Sequence, residues 1–137
     1  MAAGYAYFEH GADIGVRGEG ASVEEAFAQA AAATFAIMVD PAAVQPQVAV
    51  TVEFDEDDFE LALVRWLNAL LAQARSHGLA LGRFELRRDG SRWRGVARGE
   101  PWRESHPRGT EVKGATLTAL AVRPVAGGWQ AGCVVDV

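Results

Sequence analysis

Val48-Ala49-Val50-Thr51-Val52-Glu53-Phe54, then Asp55-Glu56-Asp57-Asp58, then Phe59-Glu60-Leu61-Ala62-Leu63-Val64-Arg65-Trp66-Leu67-Asn68-Ala69-Leu70-Leu71, is the stretch that decides the fold class. The first segment alternates: Val48, Val50, Val52 and Phe54 fall on one side, and Ala49, Thr51 and Glu53 on the other, the period of a half-buried strand. The acidic run suits a helix N-terminus, where unpaired N–H groups favour negative charge. Beyond it the apolar period lengthens. Leu63, Val64, Trp66, Leu67, Leu70 and Leu71 form one stripe of a helix over about Phe59–Ser76, and Gly78 supplies a stop.

Upstream, Ser22-Val23-Glu24-Glu25 reads as a capping box opening a helix that runs to about Met38. Ala26, Phe27, Ala30, Ala31, Thr34, Phe35 and Met38 recur at spacings of three and four, and Asp40-Pro41 ends the run. Tyr5–Phe8 and Ile14–Val16 read as short strands around the polar segment Glu9–Asp13, with Gly18-Glu19-Gly20 as a turn. Downstream come strands and turns: Arg83–Arg88, a turn at Asp89-Gly90, Arg92–Arg98, Glu111–Arg123, and Trp129–Val137 after Gly127-Gly128. Two helices set among strands that end in hairpins imply an α+β fold, a mostly antiparallel sheet with both main helices packed on one face. In that arrangement the first and last strands can lie side by side.

The chain has 137 residues, half of them hydrophobic, enough for one sizeable core and too few for two ordinary domains. The expectation is a single domain over 1–137. A net charge of −5 argues against a protein that grips nucleic acid by itself, because neutralising phosphates takes a basic face. Arg83, Arg87, Arg88, Arg92, Arg94, Arg98, Arg103 and Arg108 make one region locally basic, and their spacing reads as solvated arginines spread over both strand faces. Cys133 is the one cysteine and cannot form an internal disulfide. With no signal-peptide pattern at the N-terminus and no apolar run long enough to span a bilayer, the expectation is a cytoplasmic protein away from membranes.

Two acidic residues stand in apolar strand sequence near opposite ends of the chain. Asp13 lies in His10-Gly11-Ala12-Asp13-Ile14-Gly15-Val16, and Asp136 in Cys133-Val134-Val135-Asp136-Val137. Carboxylates in such settings are costly to bury without a cation. Brought together they would recruit one, and oxygen-only ligation suits calcium, magnesium or manganese, with Val137 adding main-chain oxygens. The plainer alternative makes Asp13 a turn residue and Asp136 a frayed end. Lys113, in Thr110-Glu111-Val112-Lys113-Gly114-Ala115-Thr116, is the only lysine beside twelve arginines. It is either an exposed strand lysine or a place that needs a compact ammonium. His10, His77 and His106 lack zinc-like spacing. His106, in the turn-rich Ser105-His106-Pro107-Arg108-Gly109, is either solvent-exposed or an accessory to a site. Gly15, Gly18 and Gly20 lack the βαβ context of a nucleotide fingerprint.

Phe8-Glu9-His10-Gly11-Ala12-Asp13-Ile14-Gly15-Val16 with Ser22–Phe27 and Met38-Val39-Asp40, then His106–Thr116, then Val134-Val135-Asp136-Val137, resemble three signatures of the archease family, in order and over essentially the whole chain. The resemblance implies a protein cofactor, not itself an enzyme, of an RtcB-type ligase. That ligase joins RNA ends bearing a 2′,3′-cyclic phosphate or 3′-phosphate to 5′-hydroxyl ends in tRNA splicing. The cofactor promotes guanylylation of the ligase and its repeated turnover, and meets RNA only through the ligase. The resemblance also implies a divalent metal, calcium as first choice and magnesium or manganese as alternatives, held by Asp13, Asp136 and the main chain of Val137. It makes Lys113 functional in activation and leaves His10 and His106 as accessories. The family usually has threonine at Gly11 and Tyr-His at Leu117-Thr118. Two other functions use the same residues: a stand-alone metal-dependent hydrolase, and a metal-stabilised chaperone or interaction module.

Overall fold

The computed structural model describes Met1–Val137. Strands β1 (Gly4–His10) and β2 (Asp13–Gly20) form a hairpin, followed by helix α1 (Val23–Ala36) and a short 3-10 turn at Pro41–Ala43. Strand β3 (Val48–Asp55), helix α2 (Phe59–His77), and strands β4 (Leu79–Asp89) and β5 (Arg92–Pro101) come next. The chain closes with β6 (Gly114–Ala115), β7 (Ala121–Val125) and β8 (Gly128–Asp136). All pairings are antiparallel, so the α+β expectation holds. The strands divide into two sheets: one has the order β1-β2-β8-β6 with β7 also on β8, the other the order β3-β5-β4. Both helices contact strands of both sheets, a division that strand periodicity does not encode. Neither helix is long and apolar enough to cross a membrane.

Local chemistry sets the helix ends. Ser22 Oγ accepts from Glu25 N at 3.1 Å and Glu25 Oε1 accepts from Ala21 N at 3.1 Å, closing the capping box one residue upstream of its usual partner. Asp58 Oδ1 accepts from Leu61 N at 3.0 Å at the start of α2, and Gly78 ends it with φ 63°. Between the sheets, Trp66, Phe27 and Trp93 are fully buried. Trp66 Nε1 donates to Phe27 O at 3.0 Å and Phe27 stacks on Trp93 at 5.1 Å, joining α2, α1 and β5.

Three expectations change. Gly18-Glu19-Gly20 is not a turn; it lies in β2, where α1 crosses so closely that a Cβ on Gly18 would overlap Ala26 O and Ala30 N. The strand expected over Glu111–Arg123 breaks into β6 and β7. Thr116 Oγ1 donates to Val134 O at 2.8 Å and accepts from Thr118 N at 3.1 Å, and Ala119 has φ 52°, so the chain bends between them. Finally, the arginines of the β4–β5 hairpin are not spread evenly. The register puts Arg83 opposite Arg98, Arg87 opposite Arg94 and Asp89 opposite Arg92, so five arginines share the face that alternates with buried Trp93, Gly95 and Ala97. Glu53 and Asp55, across from Arg94 and Arg92, pair with them at 2.9–3.2 Å, and Glu85 and Asp89 share that face. The face is a mixed-charge surface.

Candidate functional site

The closing end of the first sheet gathers residues from each of the three signature segments. Gly11, at φ 58°, turns the β1–β2 hairpin in the left-handed region where a β-branched residue is strained. That turn sets His10 opposite Asp13. β2 and β8 pair as far as Ile14 opposite Val135, so one step further Asp13 faces Asp136. Val137 N donates to Asp13 Oδ1 at 3.3 Å. On the other side of β8, Gly114 pairs with Asp136, and Lys113 N donates to Asp136 O at 2.7 Å. Residues 13, 113 and 136, distant in sequence, thus become neighbours through two strand pairings.

Neither carboxylate is fully buried, contrary to what the apolar sequence around them implies. Asp13 is half-buried and Asp136 exposed, because both stand at strand ends beyond the last apolar pair. Their proximity therefore does not force a cation into the fold. No three His, Cys, Asp or Glu side chains converge into a ready-made metal cage. The donor set fits a hard cation in kind: two carboxylates and the Val137 main-chain oxygen, all oxygens, open to water that would complete the shell. His10 is exposed at the β1 end of the same row. The Lys113 side chain is exposed, and its ammonium enters none of the ion pairs.

His106 is elsewhere and is not solvent-exposed. Its side chain is 1% exposed, and Nε2 lies 3.0 Å from Glu100 Oε2. Its Nδ1 accepts from Arg103 N at 2.8 Å, which assigns the ring proton to Nε2 and makes it the donor to Glu100. Glu100 also accepts from Gln45 N at 2.7 Å and Arg103 Nη2 at 3.1 Å. The Gln45 N–H first, then His106 and Arg103, hold the Glu100 carboxyl below its ordinary value against the opposing effect of desolvation. This cluster fastens the segment after β5. Cys133 is fully buried, and burial pushes its thiol up to about 11, so it is a core residue and not a nucleophile.

Sequence pattern gave no sign of Glu100, of Asn68 and Arg75 on α2, or of a cleft of about 330 Å³ beside the segment 108–112. That cleft lies between the C-terminal ends of the helices and the start of β4; its charged wall residues are Arg75, Arg108 and Glu111. The Arg108 guanidinium sits 4.0 Å from the Trp102 ring centroid.

The architecture defines a class: a small α+β protein whose two helices each pack on strands of both antiparallel sheets, with an acidic, lysine-bearing end on the larger sheet. The chain belongs to the archease family: the family model for Archease protein family (MTH1598/TM1083) matches residues 5–137. It is 36% identical to Protein archease of Methanosarcina mazei, covering 97% of this chain and 95% of that one. It is 38% identical to Protein archease of Thermococcus gammatolerans, covering 95% and 96%. Among solved structures, protein 1598 of Methanobacterium thermoautotrophicum superposes with a TM-score of 0.86 at 29% identity, covering 98% of this chain and 99% of that one. A Thermotoga maritima archease, described as a possible chaperone, shares the fold with a TM-score of 0.65 at 20% identity, covering 95% and 94%.

Proposed function

We propose that this protein activates an RtcB-type RNA-splicing ligase, promoting the ligase's guanylylation and repeated turnover without catalysing ligation itself. The observation that carries the reading is the meeting of Asp13, Asp136 and Lys113 at one sheet end, delivered by the three segments that resemble the family's signatures. In this reading Asp13, Asp136 and the Val137 main chain hold a divalent ion, calcium first, while Lys113 orients a phosphate or carboxylate of the partner. The bound ion would supply positive charge at the tip where it meets the ligase's nucleotide. The exposed, acidic end complements an electropositive catalytic groove, and RNA is reached only through the ligase.

The test is turnover counting. Limiting ligase is given GTP, metal and RNA ends bearing 2′,3′-cyclic phosphate and 5′-hydroxyl groups, with and without this protein. Multiple turnovers appear only with the protein, and guanylylated ligase accumulates faster. Lys113→Ala folds and still responds to metal but does not restore turnover, and Lys113→Arg restores it poorly, because a planar fork replaces a point-like ammonium. Hydrolysis of phosphoesters by the protein alone would support the hydrolase reading instead. Protection of unrelated proteins from aggregation, undiminished in Lys113→Ala, would support the chaperone reading.

A further inference from the structure

We infer that Asn68 and Arg75 of α2 are positioning residues that set where Lys113 stands, an inference that rests on the reading of Lys113 just given. β6 is two residues long and forms the end of its sheet. So short a strand does not hold itself. Its inner side is tied to β8 by the bond from Lys113 N to Asp136 O at 2.7 Å. Its outer side is tied to a helix. Asn68 Oδ1 accepts from Ala115 N at 2.8 Å and Asn68 Nδ2 donates to Ala115 O at 3.3 Å, so one side-chain amide does the work of a neighbouring strand. Seven residues on, about two helical turns along the same face, Arg75 Nη2 donates to Lys113 O at 3.0 Å and to Val112 O at 3.4 Å.

The four residues Val112–Ala115 are therefore gripped from both sides, and the lysine is among them. Gly114 permits the approach: a Cβ there would lie 3.3 Å from Asn68 Oδ1. The grip is rigid because α2 is anchored on both sides of Asn68 by the buried Trp66, Leu67, Leu70 and Leu71. Asn68 and Arg75 thus act through Lys113, and neither is required to touch the partner or its nucleotide. An asparagine in the middle of an apolar helix, where it adds nothing to helix propensity, is explained by this task.

The experiment compares Asn68→Ala, Arg75→Met and Lys113→Ala with the wild type, at a temperature where circular dichroism shows every variant folded. Three quantities are read: amide hydrogen exchange at Ala115, the calcium-induced rise in Tm, and ligase turnovers. Asn68→Ala is expected to exchange the Ala115 amide about tenfold faster, to keep its calcium response, and to lose turnovers severalfold. A role confined to stability predicts no loss of turnover in folded protein. Arg75→Met, at an exposed side chain, covers the case in which Asn68→Ala fails to fold, and is expected to lose turnovers in the same way. If Lys113→Ala loses activation while Asn68→Ala and Arg75→Met keep it, the positioning inference is overturned and the reading of Lys113 stands. If Lys113→Ala activates fully, that reading fails and the inference fails with it.

Discussion

Replacing Asp13 by Asn should change stability in opposite directions with and without metal. The β2–β8 register makes Asp13 and Asp136 cross-strand neighbours, and such pairs have Cβ atoms about 5 Å apart. Two unit charges at that distance repel by roughly 0.8 kcal/mol at the dielectric of water and by about 3 kcal/mol at an effective value of 20. Asp136 is exposed and Asp13 half-buried, so the lower figure applies, and screening at physiological salt reduces it to roughly 0.5 kcal/mol. The asparagine oxygen can still accept the Val137 N–H that Asp13 Oδ1 takes at 3.3 Å. In chelator, Asp13→Asn should therefore melt about 1–2 °C higher than wild type, and the gap should close in high salt. With calcium at a hundred times its Kd, the wild type gains about 2.7 kcal/mol by mass action, while the variant gains little. The stability order should cross over. Scanning calorimetry of both proteins in chelator and in a calcium series reads the effect. An Asp13→Asn protein that is less stable in chelator yet equally responsive to calcium would refute both the shared site and the repulsion that motivates it.

Glu100 is held below its ordinary value of 4.5, so its contribution to stability is complete above pH 4.5 and is lost as pH falls through the lower folded value. Glu100→Gln should flatten the acid limb of a Tm-against-pH curve in that window, and an unchanged limb would remove Glu100 from acid sensitivity. Cys133 is fully buried with its thiol pushed up to about 11. Iodoacetamide at pH 8 should leave it unmodified in the folded protein and alkylate it fully in denaturant, with mass spectrometry as the readout. Gly18→Ala inserts a methyl into the backbone of α1 and should cost about 2 kcal/mol or more. A Tm within a degree of wild type would show that α1 does not press on β2 as described.

The elements with strong local signals were legible in the sequence. α2 could be read from end to end because Asp58 and Gly78 mark its limits and its apolar residues hold one period; the observed helix is Phe59–His77 with those residues as caps. β3 alternates as its sequence alternates, with Val50, Val52 and Phe54 turned inward. Weaker signals misled. Gly18 and Gly20 carry turn chemistry, yet the missing Cβ serves close approach instead, of the α1 backbone at Gly18 and of the Glu25 side chain at Gly20, and close approach and turning ask for the same residue. The arginines of the β4–β5 hairpin alternate with apolar residues, but a bulge between Leu81 and Arg83 and the hairpin register decide which of them share a face.

By itself the sequence determined the helices, the α+β class, and the two acidic residues and single lysine, because caps, periods and composition act within a few residues of where they are read. The tertiary structure alone decided that the strands split into two sheets with both helices touching each, and that His106 turns inward to Glu100. It alone placed residue 13 beside 136, across more than a hundred residues, and 136 beside 113, because strand pairing joins remote segments through main-chain groups that every residue carries alike. The same holds for Asn68 and Arg75: their partners are backbone atoms of Val112, Lys113 and Ala115, and a main-chain partner leaves no complementary residue in the sequence to be recognised.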